Sequence, residues 1–316
     1  MILSAPRSGS TWLMEIIAAQ PGMKYIDEPL TKSTLDSLNM LPIKTRWVYS
    51  SLSSDEENIL AEYFKGNNKL ENFAPHNIFR NNYHFFTDRR VIKIIRATAL
   101  ICWFVNNLQL DTIYMIRHPI AQSLSCIRRG HDSRLDHYID DERFVLKHLS
   151  RDTETFVRRI MTLGSQLEQF VTEWCLHNLV PLRLIRDQTY KRIFNVITYE
   201  QLVTDPDSVL IFLFEALHLK SRKALFKSVA IPSRTTDSST EKKRHGIVER
   251  NTDFLVSSWR GECTDAQERQ AFEILERFGI DAYSYGKLMP NNMLFVSNSF
   301  RASSQNSNRP VSTKRQ

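Results

Sequence analysis

Residues 6–12 read Pro-Arg-Ser-Gly-Ser-Thr-Trp, and their types suit the gripping of an anion. Gly9 permits a backbone conformation that turns successive N–H groups inward, Ser8, Ser10 and Thr11 add hydroxyl donors, and Arg7 adds a permanent charge with several donors. The run follows a short apolar stretch, Met1–Ala5, and precedes Leu13, Ile16 and Ile17 at helical spacing, with Pro21-Gly22 as the stop. The loop thus joins a strand to a helix start, whose free amides favour a bound phosphate or sulfate. The bland alternative is a small-residue turn that only caps the helix. No Gly-Lys-Ser/Thr follows, so this is not a Walker A loop, and nucleoside triphosphate chemistry is disfavoured.

A second constellation is Ile113-Tyr-Met-Ile-Arg-His-Pro-Ile-Ala-Gln-Ser-Leu-Ser125, in which Arg117 closes an apolar run and Ser125 lies eight residues further on. An arginine and a hydroxyl converging on one phosphate make several charge-assisted hydrogen bonds at once. A third run is Val196-Ile-Thr-Tyr-Glu-Gln-Leu-Val-Thr-Asp-Pro206.

Together these runs resemble the sulfotransferases that use 3′-phosphoadenosine 5′-phosphosulfate (PAPS), in particular their Golgi-type carbohydrate and tyrosylprotein branch. The resemblance extends over about residues 1–285, where Ser257-Ser-Trp-Arg260 and the capped helix through Phe278 are similar to that branch's closing segment. It implies that residues 6–12 hold the 5′-phosphosulfate and that Arg117 and Ser125 hold the 3′-phosphate, with Arg129 in support. His118 departs from the family pattern, which has Asp there. Tyr199 would lie along adenosine or be a plain core tyrosine; Trp12 would stack on adenine or pack in the core. Ser239 and Arg244 match a loop closing over the cofactor.

Sulfuryl transfer needs an aligned hydroxyl, a base for its proton, and positive charge for the leaving phosphate. The histidine of the family's small-molecule members is absent after Val91–Arg96, whereas Tyr25-Ile-Asp-Glu-Pro29 resembles the glutamate segment of the other branch. Glu28 is therefore the expected base, with Asp27 its competitor. Arg7 is expected on the bridging oxygen. Lys93 stands where tyrosylprotein relatives carry a lysine near the transferring group; inside an apolar strand it also needs an anionic partner. The acceptor is expected to be a hydroxyl of a glycan, a peptide tyrosine or a small molecule. Its pocket is expected from residues about 30–85 and 128–155. A P-loop-type kinase or nucleotide hydrolase, and a cofactor-binding domain without turnover, are the competing readings.

Three further runs read as strands: 91–96, 112–117 and 194–199. Helical patterns separate them: 97–107, a stretch after Pro119, Phe156 to Trp174 at steps of three and four, and one opened by Asp205-Pro206. Capping boxes are expected at Ser54–Glu57 and Thr264–Gln267. The fold class is α/β: a P-loop-like parallel sheet with helices on both faces, in a single domain over 1–288. Residues 289–316 read as a disordered basic tail.

The formal net charge is +7, and Arg301, Arg309, Lys314 and Arg315 carry four of those charges. The remainder suits an anionic cofactor and is too small to argue for nucleic acid. The four cysteines have no metal-ligand spacing and read as buried free thiols, the histidines form no ligand pattern, and no metal is expected. No apolar stretch is long enough to span a membrane. A cytoplasmic setting is expected, or the Golgi lumen if an N-terminal anchor precedes this sequence.

Overall fold

The structure is a computed structural model, and it describes residues 1–30, 48–65, 89–95, 97–187, 194–234 and 251–294. Five short strands form one sheet: β1 (Ile2–Ser4), β2 (Met23–Asp27), β3 (Arg89–Ile94), β4 (Ile113–Ile116) and β5 (Asn195–Thr198). All pairings are parallel, in the order β2-β3-β1-β4-β5. Alternate residues of a strand face opposite ways, and the two faces feed two separate cores. Leu3, Ile92, Ile94, Tyr114 and Ile116 belong to one; Ile2, Val91, Ile113, Met115 and Ile197 belong to the other. Burial on both sides requires apolar residues at nearly every position, so these strands do not alternate in sequence.

The helices are α1 (Ser10–Ala18), α2 (Ser54–Lys65), α3 (Ile101–Leu108), α4 (Pro119–Ile127), α5 (Leu135–Ile139), α6 (Glu142–His148), α7 (Arg151–Leu163), α8 (Gln166–Arg186), α9 (Tyr199–Thr204), α10 (Pro206–Ala216), α11 (Arg222–Ser228), α12 (Thr252–Ser257) and α13 (Asp265–Arg277). Leu60 of α2, Phe104 of α3, Ile120 of α4, Trp174 of α8 and Phe272 of α13 fill the first core. Leu13 of α1, Leu202 of α9, Leu213 of α10, Leu225 of α11 and Leu255 of α12 fill the second. Helices therefore cover both faces, as the alternation of patterns implies.

Several local expectations need correction. The stretch from Phe156 to Trp174 is two helices, because Gly164 takes an extended conformation and Ser165 starts α8 through a capping box with Glu168. The apolar period survives this break, and so it hides the boundary. The first capping box sits one residue earlier than expected, at Ser53 and Glu56, which exchange side-chain and backbone hydrogen bonds. Thr264 and Gln267 do form theirs, and Asp205 caps α10 ahead of Pro206. β3 begins at Arg89, and Tyr199, expected at the end of a strand, opens α9. The strand β2 was not anticipated; Lys24, Tyr25 and Asp27 make it too polar for a buried run, as suits a sheet edge. Residues 289–294, assigned to the tail, include a 3₁₀ turn and a Leu294 only 1% exposed in the core. All four cysteines are free thiols, with Cys126 and Cys175 buried and Cys102 and Cys263 half-buried. No described helix is long and apolar enough to cross a membrane.

Gly9 sits in the loop between β1 and α1, close against Tyr199. Its φ is +94°, and a Cβ there would stand 2.7 Å from the Tyr199 ring. Gly9→Ala is expected to cost roughly 1–3 kcal/mol from the left-handed backbone alone. A urea unfolding curve should show this as a lowered midpoint, and an unchanged midpoint would mean the loop adopts another conformation.

Candidate active site

β1 lies between β3 and β4, and the chain leaves it toward one side of the sheet and later returns to the other. In open parallel sheets such a reversal opens a crevice at the carboxyl ends of the strands. Here a cavity of about 580 Å³ lies there, lined among others by Arg7, Glu28, Lys93, Arg117 and Tyr199. Each of these follows or ends a different strand. The sheet thus gathers residues that are up to 192 positions apart.

The loop after β1 holds Arg7 at φ +62°, an unusual conformation for a residue with a Cβ. Arg7 Nε donates to Ser125 Oγ at 3.1 Å, and Arg117 donates to the Arg7 carbonyl at 3.2 Å. Two guanidinium-bearing residues and a hydroxyl are thereby interlocked. Arg117 also lies 4.1 Å above the centre of the Tyr199 ring, a cation–π contact. Trp12 lines the cavity, tilted against Tyr199, with its indole N–H donated to the Ile231 carbonyl at 3.1 Å.

A second charged centre forms on the other side of the loop. Lys93 is only 3% exposed, and its ammonium lies 2.7 Å from Asp27, 3.1 Å from Glu28 and 2.9 Å from the Thr11 hydroxyl. The register explains this, since Asp27 pairs directly with Lys93 across β2 and β3. Glu28 then leaves the strand at φ +52° while its N–H bonds to the Lys93 carbonyl at 2.9 Å. Asp27 is further engaged by Arg234, whose guanidinium also reaches Glu15 at 3.5 Å and the Tyr25 hydroxyl at 2.9 Å. Asp27 is therefore bound between two cations.

The turn carrying Arg117 is fixed from behind. Trp174 donates its indole N–H to the Arg117 carbonyl at 3.0 Å. The buried Glu200 carboxylate accepts from the His118 N–H at 2.8 Å and from the Tyr283 hydroxyl at 2.9 Å. Burial raises the Glu200 carboxyl above its ordinary range. The His118 ring stacks on Trp259 at 4.5 Å, and burial pushes its imidazole down to about 3. His118 is thus a neutral packing residue, which explains how histidine is tolerated at this turn.

Of the other expected site residues, Ser10 and Thr11 line the cavity, whereas the Ser8 side chain is fully buried and outside its wall. Arg129 lies in an exposed turn after α4 and does not line the cavity, although its neighbours Arg128 and Gly130 do. Ser239 and Arg244 lie outside the described residues. Cys126 faces the cavity, but burial pushes its thiol up to about 12, so it remains an unreactive S–H. Glu173 and His177, on the same face of α8, also line the cavity and were missed. Their i, i+4 spacing inside a strongly apolar helix was the available signal. Among the described residues, no group of metal-ligating side chains occurs.

No protein-family model matches the chain, and no curated protein matches it. Similar solved structures include the sulfotransferase domain from the curacin biosynthetic pathway, 15% identical, covering 88% of this chain and 96% of that one at a TM-score of 0.45. The sulfotransferase domain of the Synechococcus PCC 7002 olefin synthase is 19% identical, with 89% and 94% covered at 0.43. Mouse sulfotransferase SULT7A1, in complex with PAP, is 14% identical, with 88% and 83% covered at 0.42.

The lowered His118 pKa makes stability depend on pH in a definite direction. The unfolded chain takes up this proton near pH 6.5, while the folded imidazole resists until about pH 3. The stabilisation is thus complete above pH 6.5 and is lost as pH falls toward 3. Between pH 7 and pH 4.5 this group accounts for a loss of roughly 2 kcal/mol. His118→Phe, which keeps the stack on Trp259, should lose correspondingly less stability over that range in urea titrations. Parallel losses for both proteins would place the acid sensitivity elsewhere.

Proposed function

We propose that the chain transfers the sulfuryl group of PAPS to a hydroxyl group. One observation carries this reading: a single cavity holds two separate donor-rich centres on either side of an amide-rich loop. One is the cationic cluster of Arg7 and Arg117 with Ser125, and the other is Lys93 with Thr11, its ammonium held by Asp27 and Glu28. A nucleotide with anionic groups at both its 3′ and 5′ positions fits that pattern, with Trp12 and Tyr199 providing aromatic surface for a base. The bound nucleotide supplies an activated sulfuryl group on a phosphate leaving group.

On this reading Arg117 and Ser125 grip the 3′-phosphate. Arg7, turned toward Ser125, belongs with them, and the bridging oxygen falls to Lys93 beside the loop. Glu28 takes the proton of the acceptor hydroxyl. Asp27, bound by Arg234 and Lys93, serves to hold the lysine and not to accept a proton. Lys93, at 3.1 Å, orients the Glu28 carboxylate.

Titration calorimetry with 3′-phosphoadenosine 5′-phosphate (PAP) tests the first half. Wild type should bind it far more tightly than adenosine 5′-phosphate, and Arg117→Ala and Ser125→Ala should each weaken binding about tenfold or more. Indifference to the 3′-phosphate would sink the reading. For the second half, Glu28→Gln should leave PAP affinity unchanged and slow radiolabelled sulfuryl transfer by about 10²–10⁴-fold. Asp27→Asn matching or exceeding that loss would reassign the base.

A further inference from the structure

One wall of the cavity is built by α8, and it carries a feature that a polyanion does not explain. Phe170, Glu173 and His177 occupy one face of that helix and all line the cavity. Glu173 is 7% exposed and His177 is 3% exposed. His177 Nε2 lies 3.4 Å from one Glu173 oxygen, and Nδ1 lies 2.7 Å from the Tyr138 hydroxyl. With the ring proton on Nε2, Nδ1 accepts from Tyr138, and the imidazole faces the carboxylate with its N–H. The other Glu173 oxygen accepts the Arg134 N–H at 3.1 Å. The fold thus fixes this carboxylate from α8 itself and from the residue that caps α5.

A buried carboxylate is costly, and next to several phosphate or sulfate charges it would also be repulsive. Its presence marks a part of the cavity that the nucleotide leaves to something else. A carboxylate accepts hydrogen bonds only, so what it meets must donate them. Phe170 beside it offers an apolar face. A carboxylate next to an aromatic ring suits a ligand with hydroxyl or amino groups along its edge and C–H groups on its face.

Resting on the sulfuryl-transfer reading, we propose that Glu173 is the acceptor-recognition residue of this cavity, that His177 and Tyr138 position it, and that the acceptor is a saccharide. The carboxylate takes hydrogen bonds from acceptor hydroxyl or amino groups other than the one sulfated, and Phe170 takes the apolar face of the ring.

The test combines Glu173→Gln with three acceptors: N-acetylglucosamine, glucosamine and p-nitrophenol, each assayed for transfer from radiolabelled PAPS. Glu173→Gln keeps the shape and one acceptor oxygen, so the fold should persist, and PAP titration checks that it does. Wild type should use at least one of the sugars in preference to p-nitrophenol. The variant should raise the KM for that sugar about tenfold or more, as expected for loss of a charge-assisted hydrogen bond. Its PAP affinity should stay within about twofold. Three results would overturn the proposal while leaving the nucleotide reading intact: wild type that binds PAP but prefers p-nitrophenol, transfer to none of the three, or a sugar KM unchanged by the substitution. PAP affinity that falls in step with the rise in KM also overturns it, by placing Glu173 on the nucleotide side. Wild type that fails to bind PAP removes the underlying reading and this one with it.

Discussion

A lysine ammonium buried at the carboxyl end of β3 sets the constraint around which this edge of the sheet is arranged. An unpaired charge at that depth would be expelled or neutralised. Lys93 is retained because β2 brings Asp27 into register beside it, the chain turns at Glu28 to return a second carboxylate, and α1 offers Thr11. The partners come from both elements flanking the lysine. Arg234, from much later in the chain, restores the charge balance that two carboxylates around one ammonium would upset.

The other half of the crevice is built on two arginines. Arg7 reaches Ser125 while Arg117 holds the Arg7 carbonyl, and the approach is possible because the loop carries a glycine where the Tyr199 ring presses against it. Tyr199 in turn lies under the Arg117 guanidinium. Behind this layer, Glu200, Tyr283, Trp174 and Trp259 fix the turn at residues 117–118 without reaching the cavity. The front layer is charged and faces the cavity, and the rear layer is aromatic and buried. Left-handed backbone at Arg7 and Glu28 shows where the chain accepts strain to aim those side chains.

The loop at residues 6–12, the arginine turn and the strands that carry them were legible because each is a local pattern: a small-residue run after an apolar one, or a proline after a strand-ending arginine. The boundary at Gly164–Ser165 escaped because the apolar spacing continues through it. β2 escaped because an edge strand need not be apolar throughout. Arg129 was expected on a helix that ends before it, at Ile127. His118 could be seen as a departure, but its neutrality depends on Trp259 and on burial, neither of which is local.

The sequence by itself determined the α/β class, the Ser/Gly loop between strand and helix, the arginine–serine pair and the acidic segment at residues 27–28, because helix, strand and turn preferences act over a few residues. Only the tertiary structure decided which charge meets which. It turned Arg7 toward Ser125, gave Lys93 to Asp27 and Glu28, and brought Arg234 to Asp27. It also exposed Glu173 and His177 to the cavity from a helix whose pattern reads as core. Electrostatic partners are chosen by distance and burial in three dimensions, and these are set when the sheet assembles strands that the chain keeps far apart.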